Sequence, residues 1–352
     1  MPSARELIVQ SWASRGPLAL ALWPLSLVMG CLVGLRRTAY RWGLLHDQSP
    51  GLPVLVVGNR VVGGAGKTPT TVAIVQYLQH QGWTPGVLSR GYKQSASAAP
   101  LTLIDQASAH RLTAAEVGDE PLLIWRRTQA PLMVGRDRVA GGVELRKHHP
   151  QVDILICDDG LQHLRLKRQI EVVVFDERGA GNGWLLPAGP LRESIHAPAP
   201  SSLVAPPIVI YNASKASSVV PGYLGHRHLA PWKTLEQWWD NAPADPTAQP
   251  PQQGCWAVAG IAHPPKFFTQ LQSLGWSTHP VACADHDPYT TLPWPLGITN
   301  VILTEKDAIK LSLDRVHRER PGTQVWVAAL DFSPEPGFWQ TLDHALKQLP
   351  TT

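Results

Sequence analysis

The apolar run Val54-Leu55-Val56-Val57 is followed within a few residues by Gly63-Gly64-Ala65-Gly66 and then by Lys67-Thr68-Pro69. Behind these come Val72, Ile74, Val75 and Leu78, an apolar pattern at helical spacing. A strand, a loop of glycines and a helix that opens on Lys-Thr form a phosphate-binding loop in its proper context. The glycines let backbone N–H groups turn toward phosphate oxygens, and the helix points its positive dipole end at the same anion. Lys67 would reach the β- and γ-phosphates, and the Thr68 hydroxyl would ligate Mg²⁺. The strict pattern wants glycine six places before Lys67, where this chain has Val61. A plain glycine-rich hairpin before a helix would leave Lys-Thr at the helix start unexplained. The loop therefore predicts a nucleotide-binding α/β chain that takes ATP and Mg²⁺.

The rest of the chain supports that frame. Strands are expected at 84–89, 101–105, 132–134, 152–157 and 170–175, with helices at 70–80, 118–127 and 138–148. This alternation argues for a doubly wound, mostly parallel sheet with helices on both faces, where ligands sit at the carboxyl ends of the strands. A second, smaller alternation starts near Cys255, with strands at 256–259, 300–303 and 324–328 and helices at 265–274 and 336–348. Three regions are expected: 1–45 as an N-terminal membrane-associated helix, 46–250 as the phosphate-loop core, and 251–352 as a smaller α/β lobe. The stretch from Ser201 to Gln253 is dense in proline and reads as irregular, so no function is assigned to it.

The run Pro17–Leu35 contains no charged residue, and Arg36, Arg37 and Arg41 follow it. Nineteen helical residues span about 28 Å, just short of a hydrocarbon core, and Pro24 would kink such a helix. No small-x-small cleavage site marks a signal peptide. A buried soluble helix and a membrane anchor remain, and the anchor is preferred. The arginines after it would hold the next domain on the cytoplasmic side. The net charge of +4 is too small to imply nucleic acid but suits an anionic membrane surface. Cys31, Cys157, Cys255 and Cys283 are widely spaced, as for thiols in a reducing compartment rather than a disulfide or zinc framework.

Ile154-Leu155-Ile156-Cys157-Asp158 ends an apolar strand in a carboxylate, as phosphoryl transfer requires for Mg²⁺ or its water shell. Asp159 beside it would repel Asp158 unless a cation or donor intervenes, and His163 could orient one of the two. Asp119 and Glu120 open a helix, either as dipole partners or with Asp119 as a general base. Arg90, Arg192 and Lys306 are candidate anion clamps near loop ends. Asp285-His286-Asp287 could form a carboxylate–imidazole relay or a weak metal site. Thr304-Glu305-Lys306-Asp307 places its lysine one position too late for a guanine reader, so GTP is not inferred.

These residues together resemble one family, the tetraacyldisaccharide 4′-kinases of lipid A biosynthesis. The matching stretches are Val57-Gly58-Asn59, Gly63 to Pro69, Leu88 to Tyr92, Val117 to Pro121, Asp158 to His163, Leu186 to Glu193, Val258 to Ile261, Asp285 to Tyr289 and Leu303 to Ala308. They run in order along nearly the whole chain. Leu161 stands where phenylalanine is expected and Asp287 where histidine is common. The resemblance implies a transferase that moves the γ-phosphate of ATP to the 4′-hydroxyl of tetraacyldisaccharide 1-phosphate at the cytoplasmic face of the inner membrane. It implies Asp119 as base, with Asp159 and His286 supporting it or the metal, and Lys67 on the transferred phosphate. Asp158, Asp159 and Thr68 would then serve Mg²⁺, and Arg90, Tyr92, Arg192 and Glu193 the lipid substrate. The expected partners are that lipid and the membrane around it, with no nucleic acid and no obligate protein partner. A membrane-associated, partner-regulated ATPase is the alternative. Such proteins typically carry lysine just before Gly-Gly-x-Gly-Lys, where this chain has Val62.

Overall fold

The structure, a computed structural model, describes residues 4–64, 66–91 and 100–350. Ala65 and Tyr92 fall outside them. Among the described residues the strands run β1 (Val54–Gly58), β2 (Pro85–Ser89), β3 (Leu101–Ile104), β4 (Leu132–Gly135), β5 (Ile154–Asp158), β6 (Ile170–Asp176), β7 (Ile208–Asn212) and β8 (Tyr223–Leu229). There follow β9 (Lys233–Thr234), β10 (Gln253–Ala259), β11 (Ser277–Ala282), β12 (Asn300–Thr304), β13 (Gln324–Ala328) and β14 (Leu330–Pro334). The larger sheet has the order β14-β8-β7-β6-β1-β5-β2-β4-β3, with antiparallel strands only at its two edges. The smaller has the order β11-β10-β12-β13-β9 and is parallel except for β9.

Strand β1 lies between β5 and β6, so Val57 stands beside Asp158 on one side and Val172 on the other. Every residue of β1 and β5 is buried. Leu55, Val57, Ile154 and Ile156 join one core, and Val54, Val56, Leu155 and Cys157 another on the opposite face. Burial on both faces explains why these strands read as continuous apolar runs rather than alternating ones.

The helices are α1 (Ala4–Ser11), α2 (Pro17–Arg41), α3 (Lys67–His80), α4 (Ala114–Val117), α5 (Asp119–Thr128), α6 (Arg138–His148), α7 (Leu235–Trp239), α8 (Pro264–Ser273), α9 (Glu305–Ala308), α10 (Leu313–Glu319) and α11 (Pro336–Lys347). The start of α6 is set by the Asp137 carboxylate, which accepts from Val139 N and Ala140 N at 3.1 Å each, and its last turn carries Arg146, Lys147 and His148, charges that suit the dipole.

The chain crosses the expected boundary at 250 in both directions. Before it, β9 joins the smaller sheet by pairing with β13. After it, β14 returns to pair with β8, and α11 packs on β7. Tyr77 of α3 stacks on Trp339 of α11 with centroids 4.1 Å apart. Without β14, β8 would present an open edge. The stretch read as irregular holds β7, β8 and α7. Its prolines bracket a short buried run, Ile208-Val209-Ile210-Tyr211, which they hide from a periodicity argument.

Helix α2 continues through Pro24. One stripe of it docks on the core. Ser26 Oγ donates to Leu185 O (2.8 Å) and accepts from Ala188 N (3.0 Å), and Arg37 pairs with Glu193. The rest is exposed and apolar, including Leu20, Leu25, Val28, Leu32 and Leu35.

Candidate active site

The loop before α3 turns at Gly63 (φ 104°) and Gly66 (φ 84°). Both angles are left-handed, and only glycine adopts them without strain. Lys67 Nζ lies 3.7 Å from Asp159 Oδ1 and donates to Asn59 Oδ1 at 3.4 Å. Asp159 has φ 52° at the end of β5, and this turn separates its carboxylate from that of Asp158. Arg192 Nη1 donates to Asp159 Oδ1 (3.2 Å) and to Gln162 Oε1 (3.1 Å). Two cations thus hold Asp159.

Asp158 is fully buried and accepts from Thr71 Oγ1 at 2.8 Å. Burial, and then the negative charges of Glu120 and Asp159, push its carboxyl up to about 7. Sequence reasoning missed Thr71, one helical turn beyond Thr68. Thr68 itself makes no side-chain hydrogen bond among the described residues. A buried carboxylate without a cation partner among the described residues, with a hydroxyl beside it, is the kind of hard oxygen donor Mg²⁺ prefers, and Asp158 is one. Among the described residues no three His, Cys, Asp or Glu side chains form a cage by themselves. One or two carboxylates completed by substrate phosphates is the usual arrangement for this ion.

His163 does not orient the acid pair. Its half-buried ring makes no hydrogen bond among the described residues, and burial followed by the nearby charges of Arg138 and Arg168 pushes its pKa down to about 4.

Asp119 is the first residue of α5 and is 6% exposed. Its Oδ1 accepts from Glu120 N at 3.0 Å, and its Oδ2 lies 2.8 Å from His286 Nδ1. Burial raises the Asp119 pKa, but the His286 hydrogen bond and the Lys306 charge outweigh it and leave the group below the ordinary carboxylate range. His286 arrives from the smaller lobe on a loop with φ 60° at His286 and 50° at Tyr289. Buried Asp307 secures that loop. It accepts from Gly260 N (3.1 and 3.2 Å) and from Thr304 Oγ1 (2.6 Å), and His286 N donates to Gly260 O (3.3 Å). The three C-terminal motifs thus meet at one turn and position an imidazole.

Lys306 faces carboxylates rather than an anion site. Its Nζ lies 3.2 Å from Glu120, 3.8 Å from Asp285 and 4.0 Å from Asp119. Arg90 lines the site cleft, whereas Glu193 is buried under Arg37 and Gln162 Nε2 (3.1 Å). The cleft is about 530 Å³ and reaches from Asp158, Asp159 and Arg192 to Met29, Val33 and Arg37 of α2. That extension to the N-terminal helix was not readable from the motifs.

A doubly wound phosphate-loop fold, with a lysine over paired acids and an acid–imidazole pair at the same cleft, defines a phosphate-loop kinase. The profile of the LpxK family, tetraacyldisaccharide-1-P 4′-kinase, matches residues 18–347. Similar curated proteins named tetraacyldisaccharide 4′-kinase come from Methylibium petroleiphilum (50% identity, covering 97% of this chain and 94% of the relative) and Leptothrix cholodnii (51% identity, covering 96% and 95%). A crystal structure described as the "apo" form of LpxK from Aquifex aeolicus in complex with ATP shares the fold, with a TM-score of 0.76 and 23% identity over 94% of this chain and 99% of that one. The chain belongs to the tetraacyldisaccharide 4′-kinase family.

Proposed function

We infer that this protein transfers the γ-phosphate of ATP to the 4′-hydroxyl of tetraacyldisaccharide 1-phosphate, forming lipid IVA in lipid A biosynthesis. The observation that carries this reading is the Asp119–His286 contact of 2.8 Å. It joins two lobes beside the cleft that holds the paired acids, to which Lys67 extends.

A sugar hydroxyl is a poor nucleophile until its proton has somewhere to go. Asp119 carries the negative charge that draws this proton, and His286 holds the carboxylate in one orientation and shares the charge. Lys67 leaves Asp159 for the β- and γ-phosphates and stabilises the charge of the transferring group. Arg192 then holds Asp159 in place. Asp158, Asp159 and Thr68 are the residues that would hold Mg²⁺, which neutralises phosphate charge when bound. Arg90, Tyr92 and Arg192 serve the anionic head of the lipid, and Glu193 fixes Arg37 at the cleft rim.

The exposed apolar face of α2, with Arg36, Arg37 and Arg41 at its end, supports seating at the cytoplasmic face of the inner membrane. The chain divides functionally into that anchor, the core through β8 and the smaller lobe from β9 onward, with residues 330–347 returned to the core.

The test uses γ-labelled ATP and detergent-solubilised protein, with and without tetraacyldisaccharide 1-phosphate. Label on the lipid, dependent on Mg²⁺ and lost in Asp119→Ala, supports the kinase. Release of free phosphate that ignores the lipid overturns it.

A further inference from the structure

Two arginines flank the phosphate loop, and they differ in one respect. Arg178 lies over Gly63, 3.0 Å from where a Cβ on that glycine would stand, and it is already paired with Asp176 at 2.7 Å. Arg227 lies over Gly66, with Nη2 2.5 Å from the corresponding point. Among the described residues its guanidinium makes no hydrogen bond and no ion pair. Asp176 and Glu177 act on it only from a distance, and crowding by protein removes enough water to lower its pKa despite its exposed position. A guanidinium with no counter-ion has its donors open to an incoming anion. It also stands beside a helix start that itself attracts anions.

The position of Arg227 in the fold sharpens this. It lies on β8, the strand that leads out of the larger sheet toward the smaller lobe, opposite Phe332 of the returning β14. A side chain at Gly66 would collide with Asn212 at the end of β7 and with Arg227. The missing Cβ lets both residues close on the loop.

We propose that Arg227 binds the phosphate chain of the nucleotide, clamping it against the loop from the strand that links the two lobes. This assignment rests on the kinase reading above. A guanidinium suits the task because its planar donors meet phosphate oxygens in pairs.

The test is equilibrium titration of the full chain in detergent with ATP, ADP and adenosine, for the parent, Arg227→Ala and Arg227→Lys, with thermal melts of each nucleotide-free protein. Arg227→Ala should weaken ATP and ADP roughly ten- to hundredfold and leave adenosine unchanged. Arg227→Lys should recover part of the loss. Removing an unpaired charge should leave the nucleotide-free Tm equal or higher. Equal ATP affinity in parent and alanine variant overturns the assignment. An adenosine loss as large as that for ATP overturns it too, since the contact would be with the base. A lower nucleotide-free Tm with no rescue by lysine marks a structural residue and overturns it. A parent that binds none of the three ligands overturns the kinase reading itself, whereas a parent that binds ATP but leaves the lipid unlabelled sinks only that reading.

Discussion

Lys67 rests on Asp159 at 3.7 Å, so in the proposed mechanism it exchanges a carboxylate for a phosphate when nucleotide binds. Arg192, at 3.2 Å from the same oxygen, keeps the half-buried Asp159 paired when the lysine leaves. Lys67→Ala should therefore lower turnover on the order of 10³-fold; near-normal turnover would remove the loop lysine from the mechanism. Asp119→Ala should lower kcat far more than ATP affinity, and the opposite split would make Asp119 a structural or metal residue. Asp158 sets a pH dependence. Its carboxyl titrates at about 7 when folded against 3.8 when free, so the folded chain keeps a proton that the unfolded chain has lost. Its contribution to stability is complete below about 4 and is lost as pH rises through about 7. His163, held down to about 4 from 6.5, works the other way between those values. The two are separated by comparing thermal melts of the parent with Asp158→Asn. The Tm of the variant should gain on the parent's as pH rises to about 7, and parallel curves would show that Asp158 ionises normally.

At the scale of elements, α2 is held by polar contacts on one stripe and presents leucines on the others. Removing residues 1–40 should abolish sedimentation with anionic vesicles, and unchanged sedimentation would refute the anchor. The sequence showed most such elements where burial leaves a periodic or continuous apolar trace. The core strands β1, β5 and β6 and the helices α3, α6 and α11 were legible for that reason. It did not show β7, whose four apolar residues sit among prolines, or β14, whose partner β8 lies about a hundred residues earlier. The site divides in the same way. Lys67 and the paired acids carry local motifs. The Asp119–His286 contact joins residues 167 apart, and only the family resemblance joined them beforehand. Thr71 and Arg227 carry no motif at all, because their places beside Asp158 and Gly66 come from which elements lie side by side.

For the whole molecule, the lobes are joined by more than a linker. One apolar core runs from Val57 and Val174 through Tyr289 to Val301 and Val327. Arg127 of α5 spans the junction, donating to Glu305 (3.0 Å) and pairing with Asp331, while Trp238 Nε1 donates to the same glutamate (3.1 Å). Arg127→Met leaves Glu305 buried with one cation fewer and should cost about 3 kcal/mol in denaturant unfolding. A loss too small to resolve would mean that the apolar core alone joins the lobes. The return of β14 and α11 to the larger sheet has a consequence for how the molecule is made. The phosphate loop leaves the ribosome early, yet β8, the strand behind Gly66, has no outer neighbour until residues 330–334 are synthesised. The nascent chain therefore waits for residues 330–334 before β8 is covered on that side, so a late segment governs the surroundings of a loop whose signature, residues 63–68, is made long before it.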